Sequence, residues 1–260
     1  MIDLANYPAT FHDLKGASVF ISGGGSGIGA ALTEGFLRQG ANVAFVQRSD
    51  ASDFCDSMKD ATGTRPLFLQ CDVADTASLK AAIAEASAKQ GGIGILVNNA
   101  ANDQRKGTLE IDEAFWQGAL DVNLSHYFFA SQAVIPAMQA AGKGAIVNFS
   151  SITYMMGAAG LPAYVAANAA IMGLTRSMAR EFGPDHIRIN AIAPGWVLTE
   201  RQRKLWVTPE ALEAHIARQC LPDEIDPVDM VGGALFLASA VSRMMTGQMM
   251  VIDGGLAVTG

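Results

Sequence analysis

Seven short apolar runs recur along the chain, each followed by a stretch of helical composition, and this alternation restricts the fold more than any other feature. The runs lie at residues 17–21, 42–46, 66–70, 93–97, 145–147, 187–193 and 248–252. A strand that is apolar along its whole length is covered on both faces, as strands of parallel sheets are. Strands alternating with helices build a parallel sheet with helices on both sides. The expectation is a doubly wound α/β fold with a seven-stranded parallel sheet. A chain of 260 residues without repeats or long linkers suits one such domain, residues 1–260. Helices are expected from the glycine-rich turn to about residue 39, then at 76–89, 112–139, 162–182 and 227–238. Ligands of such sheets sit at the carboxyl ends of the strands.

The first strand runs into Ser-Gly-Gly-Gly-Ser-Gly-Ile-Gly, residues 22–29, and a helix follows. Glycines allow a sharp turn and close backbone approach. The helix N-terminus offers free N–H groups and a positive dipole end to a phosphate. The spacing Gly23-x3-Gly27-x-Gly29, with Ser26 and Ile28 between, marks a Rossmann-like dinucleotide cradle, although it is not the commoner Gly-x-Gly-x-x-Gly. In such folds an acidic residue at the end of the second strand binds the adenosine ribose. Here Gln47 and Arg48 occupy that place. An arginine attracts a 2′-phosphate, so NADP is expected beside NAD. Asp72, at the end of the third strand, either accepts from the adenine amino group or caps the helix that starts near Thr76.

A second constellation spans residues 148–168. Pro162 suits the first turn of a helix. Tyr164 and Asn168 then share one helix face. Ser151, at the preceding strand end, can be brought beside the phenol. These three polar groups outline a proton-transfer site. A free tyrosine has a pKa near ~10, and a tyrosine acting as base needs it lowered. A shift of roughly three units requires about 4 kcal/mol, which a neighbouring cation could supply. Asn168 carries no charge.

Net charge is −7 at pH 7, which disfavours a nucleic-acid or anionic-membrane surface. No apolar run is long enough to cross a membrane. The N-terminal residues lack the pattern of a signal peptide. Cys55, Cys71 and Cys220 read as buried thiols of a cytoplasmic protein, and the four histidines show no metal-ligand spacing, so no metal is expected.

Together these residues resemble the short-chain dehydrogenase/reductase family over nearly the whole chain. Gly23-x3-Gly27-x-Gly29 matches its cofactor loop and Asp72-Val73 its adenine contact. Asn98-Asn99-Ala100-Ala101 matches its Asn-Asn-Ala-Gly, with alanine last. The resemblance implies that Asn123, Ser151 and Tyr164 are catalytic. It places Pro194, Gly195 and Val197 on the nicotinamide side. The family pattern Tyr-x-x-x-Lys departs here to Tyr164-Val165-Ala166-Ala167-Asn168. That lysine holds the nicotinamide ribose and lowers the tyrosine pKa; Asn168 keeps only part of the first role. The departure fits an alkaline-shifted enzyme, a substituted sequence, or a variant with a rebuilt relay.

Within the family the chain is similar to bacterial sugar 1-dehydrogenases, through Asn102-Asp103 and through Glu200-Arg201-Gln202-Arg203 with Trp206-Val207-Thr208-Pro209-Glu210. The expected reaction moves hydride from C1 of an aldose to NAD(P)⁺, giving a lactone. Asn102, Thr153, Tyr154 and Trp196 are candidate hydroxyl contacts, and residues 200–220 the flap over the substrate. Alternatives are reduction of a small ketone or 3-oxoacyl group, and dinucleotide binding without turnover. Family members are commonly tetramers, and a homotetramer is expected.

Overall fold

The computed structural model describes residues 3–259. Its seven strands are β1 (Ser18–Ser22), β2 (Asn42–Gln47), β3 (Leu67–Gln70), β4 (Ile95–Asn98), β5 (Gly144–Phe149), β6 (Ile187–Pro194) and β7 (Met249–Ile252). They form one sheet in the order β3-β2-β1-β4-β5-β6-β7, every pair parallel. The doubly wound seven-stranded expectation therefore holds, with strand bounds shifted by one or two residues. The order reverses between β1 and β4. The chain leaves these two strand ends in opposite directions, which opens a crevice there.

The helices include α1 (Gly27–Arg38), α2 (Ser52–Thr62), α3 (Thr76–Gln90), α4 (Glu113–Leu120), α5 (His126–Ala141), α6 (Pro162–Phe182), α7 (Glu200–Leu205), α8 (Pro209–Ile216) and α9 (Asp229–Ala238). One apolar layer packs β1, β2, β4 and β5 against α1 and α9, around Phe36, Phe45 and Leu235. The other packs the opposite face against α3 and α5, around Phe20, Leu79, Leu96 and Met138. Because strand side chains alternate between faces, Phe20 enters one layer and its neighbours Val19 and Ile21 the other. No described helix is long and apolar enough to cross a membrane.

Three expectations need correction. The helix expected over 112–139 is divided: α4 and α5 are joined by a π turn, Asp121–Ser125, with Asn123 inside it. A single periodicity does not reveal such a bulge, which inserts one residue without ending the helix. The cap of α3 is Asp75, which accepts from the N–H of Ala77 and Ser78. Asp72 instead accepts from Ala74 N–H at 3.0 Å. Cys55 and Cys71 are buried, and burial raises both thiols, Cys71 to about 11. Cys220 is exposed, contrary to the reading of three buried thiols.

The asparagines at the strand ends act as ties. Asn98 Nδ2 donates to Asn148 Oδ1 at 2.9 Å, and Asn148 Nδ2 to Thr175 Oγ1 at 2.9 Å. β4, β5 and α6 are thereby joined at the end of the sheet where the crevice opens.

Candidate active site

A cleft of about 1080 Å³ runs along the carboxyl ends of the strands. At one end β1 passes into the glycine turn. Gly23 has φ +72°, and a Cβ on it would meet Ala100 Cα at 3.1 Å. A Cβ on Gly29 would overlap the carbonyl oxygen of Gly23. Turn and helix therefore pack at backbone contact. Asp75, Asp112, Thr199 and Thr208 cap α3, α4, α7 and α8 with their side chains. Ser26, the cap residue of α1, makes no such bond. The first N–H groups of α1 remain open to a phosphate. Asn99 Nδ2 braces the turn by donating to the carbonyls of Ser22 (3.2 Å) and Gly23 (3.1 Å).

Beyond the turn, Gln47 folds its amide onto the carbonyl of Ser49 at 3.1 Å. Arg48, Asp72 and Val73 line the cleft beside it. Pro194, Gly195 and Val197 line it past the end of β6, where Gly195 N–H donates to Ile252 at 2.9 Å.

The middle of the cleft holds Ser151 and Tyr164. Ser151 leaves β5 in extended conformation and starts a single 3₁₀ turn, its hydroxyl accepting from Thr153 N–H. Tyr164 lies in the first turn of α6, which opens with Pro162. Burial raises the pKa of the phenol, and the carboxylate of Asp103 raises it further; hydrogen bonding to Ser151 and Asn168 and the charge of Arg201 pull it down less. Asn168 is buried, and its Nδ2 donates to the carbonyl of Tyr164 at 2.9 Å. It thus sits behind the cleft wall. Asn123 is also behind the wall. Its side chain accepts from Asn102 N–H (2.8 Å) and donates to the carbonyls of Asn102 (3.1 Å) and Ala119 (2.8 Å). Gly27 belongs to the first turn of α1 and does not line the cleft. Tyr154 does not line the cleft either; its hydroxyl donates to Met249 Sδ at 3.4 Å. The remaining residues expected at the site, Asn102, Thr153 and Trp196 included, share the one cleft.

Sequence reasoning missed a network that fastens α7 across the mouth. Asp103 accepts from Arg201 and from Gln202 Nε2, the latter at 2.7 Å. Asn102 Oδ1 also accepts from Arg201, at 3.1 Å. Gln202 Oε1 in turn accepts from Trp196 Nε1 at 3.0 Å. Trp196 meets the His215 ring edge to face at 5.2 Å. Asp103 and Arg201 are 98 residues apart, and no local pattern pairs them. Two buried polar atoms of the cleft lining, Thr153 Oγ1 and His215 Nε2, have no protein partner.

A glycine turn at backbone contact, an uncapped helix end and a tyrosine beside a serine fit a nicotinamide dinucleotide and a carbinol substrate. The adenine would lie by Asp72 and the nicotinamide by Gly195. Fold and site define an NAD(P)-dependent oxidoreductase acting on CH–OH groups. The sequence model of a family described as Enoyl-(Acyl carrier protein) reductase matches residues 23–257. The chain belongs to the short-chain dehydrogenase/reductase family. It is 49% identical over 248 residues to "Probable galactose dehydrogenase GalD" of Rhizobium meliloti, covering 95% of this chain and 97% of that one. It is 42% identical to D-xylose 1-dehydrogenase of Caulobacter vibrioides, covering 95% and 98%. The crystal structure of a 3-oxoacyl-[acyl-carrier protein] reductase from Brucella melitensis superposes with a TM-score of 0.90 at 29% identity, covering 99% of this chain and 96% of the other.

Proposed function

We propose that the chain oxidises an aldose sugar at C1, with NADP⁺ or NAD⁺ as acceptor, and releases the lactone. The observation that carries this reading is the polar wall around Tyr164. Asn102, Asp103, Thr153 and His215 can all exchange hydrogen bonds with hydroxyls, and Trp196 offers a face to a sugar ring. The probable galactose dehydrogenase and the D-xylose 1-dehydrogenase among its relatives support the same substrate class.

In the proposed reaction Ser151 donates a hydrogen bond to the C1 oxygen and fixes it beside Tyr164. Tyr164, as phenolate, takes the C1 hydroxyl proton. The C1–H electron pair leaves as hydride and the C1–O bond becomes a carbonyl. The bound nicotinamide supplies the hydride acceptor. The first turn of α1, with Ser26 and Ile28, holds the pyrophosphate; Arg48 reaches the 2′-phosphate of NADP, which favours that form. Asp72 and Val73 hold the adenine, and Asn99 keeps the turn in shape. Pro194, Gly195 and Val197 exclude water from the nicotinamide. Residues 200–216 close over the sugar. A homotetramer packed through α4, α5, α6 and β7 accounts for exposed apolar side chains such as Trp116 and Phe128.

Asn168 limits this chemistry. It hydrogen-bonds where the family lysine would bring a charge, and Tyr164 stays high. Activity is therefore expected to rise with pH. The same feature favours a second reading, dinucleotide binding without turnover. The test is reduction of NADP⁺ and NAD⁺ from pH 6 to 11, with D-galactose, D-xylose, L-arabinose, L-rhamnose and L-fucose, for this chain and for Asn168→Lys. The lysine form should be at least ~10-fold faster near pH 7, the gap closing as the medium approaches the tyrosine pKa. Equal rates near pH 7 would mean another group activates Tyr164. Cofactor binding without turnover in both forms would favour the second reading.

A further inference from the structure

We infer that His126 is a positioning residue: its imidazole locks the π turn, and with it Asn123 and the Asn102 backbone, to the cofactor turn. Within the π turn the backbone N–H of His126 reaches back to the carbonyl of Asp121. The Val122 carbonyl, which an α-helix would pair with that N–H, receives His126 Nδ1 instead, at 2.6 Å. A carbonyl only accepts, so Nδ1 carries the proton and Nε2 is the acceptor. Nε2 lies 3.2 Å from Ser22 Oγ, whose hydroxyl must then donate to it. That leaves both lone pairs of Ser22 Oγ for the N–H groups of Asn99 (2.9 Å) and Ala100 (3.1 Å). Each donor and acceptor in the chain of bonds is used, and only one tautomer satisfies it.

The bonds run from β1 through the imidazole to the π turn. On the β1 side, Ser22 carries the turn that Asn99 braces. On the far side, one residue beyond Val122, Asn123 clamps Asn102 by N–H and carbonyl together. Asn102 and Asp103 hold α7 across the mouth. Burial keeps the imidazole neutral, as the tautomer requires, with its pKa lowered to about 4. Nor is His126 merely filling space. Its neighbour Tyr127 fills the adjoining core and is separately anchored to the Phe149 carbonyl at 2.7 Å. A polar ring with two directed bonds is needed at 126 only if the two ends must keep register.

The kinetic arm of the test rests on the sugar reading; the exchange arm does not. His126→Phe keeps the ring volume and removes both bonds. Ser22→Ala leaves the Val122 bond and cuts the link to β1, but also frees the N–H groups of Asn99 and Ala100, so if the first variant folds poorly it serves with segment 119–127 as the deciding readout. Amide hydrogen exchange is followed in segments 98–103 and 119–127, with β7 and α9 as distant references, alongside kcat and KM. Exchange in both segments should accelerate at least ~10-fold while the references hold. At saturating cofactor and sugar, kcat should fall at least ~10-fold, with the cofactor KM within about 3-fold. Exchange that rises evenly over the molecule, segment 98–103 unchanged in His126→Phe, or segment 119–127 unchanged in Ser22→Ala would overturn the assignment. If the unaltered chain turns over no sugar, the substrate reading fails and the exchange data still decide the role of His126.

Discussion

At the scale of single residues the molecule sets charge against burial. Arg48 is exposed at the end of the cleft proposed for the adenosine, and its neighbour Gln47 turns its amide onto Ser49. Arg48→Ala should therefore raise the KM for NADP⁺ at least ~10-fold and leave that for NAD⁺ within about 3-fold, because only the 2′-phosphate is lost to it. Equal effects on both would place Arg48 outside the cofactor site. His126 gives a different signature. Its pKa falls from 6.5 to about 4 on folding. The neutral ring contributes stability in full above pH 6.5, and that contribution is lost as the pH falls toward 4, by roughly 3 kcal/mol in all. Chemical denaturation from pH 7 to 4 should show this loss, reduced in His126→Phe. A pH dependence identical in the variant would show that the acid lability comes from the carboxylates.

At the scale of elements, α7 is held to the β4 loop by side chains more than by core. Arg201 and Asp103 are 49% and 19% exposed. The pair alone is worth about 1 kcal/mol or less in such a setting. Gln202 and its bond to Trp196 make it a network, so loss of Asp103 frees two donors at once, Arg201 and Gln202 Nε2. Asp103→Ala should raise the sugar KM ~10-fold, with little effect on thermal stability, because α7 buries none of its residues in the core. Removing this carboxylate also takes away a charge that opposes phenolate formation. The pH–rate profile of that variant should then move to lower pH. A KM unchanged at every pH would mean that α7 does not govern substrate access. The latch was not legible in the sequence, since it joins segments a hundred residues apart through polar groups of no fixed period. The Asp72 cap reading failed for a related reason: Asp72 and Asp75 are equally suitable by type, and only backbone geometry gives the cap to Asp75. By contrast the strands, α6 from Pro162 and the glycine turn were legible, because period, proline and glycine act through local sterics. Asn123 was legible as an oddity in a helix, but not as the centre of a π turn.

At the scale of the whole molecule, the cleft crosses the reversal of strand order. Its walls come from the ends of β1 to β3 on one side and of β4 to β6 on the other. A dinucleotide bound as proposed would contact both halves, Arg48 and Asp72 in one, Gly195 and Val197 in the other. Unfolding either half releases it, so cofactor binding adds to global stability. At one hundred times its Kd, a ligand bound only by the native state adds ~2.7 kcal/mol. For a chain of this size that corresponds to a rise in Tm of roughly 5–8 °C. NADP⁺ titrated against a thermal melt should give this rise in one cooperative transition, whether or not Asn168 permits turnover. Two transitions, with only one moved by NADP⁺, would mean the halves unfold separately and the cleft does not bridge them. No shift with either cofactor would remove the dinucleotide from the site altogether. The measurement thus separates cofactor binding from catalysis, and position 168 in this chain leaves those two functions open to separation.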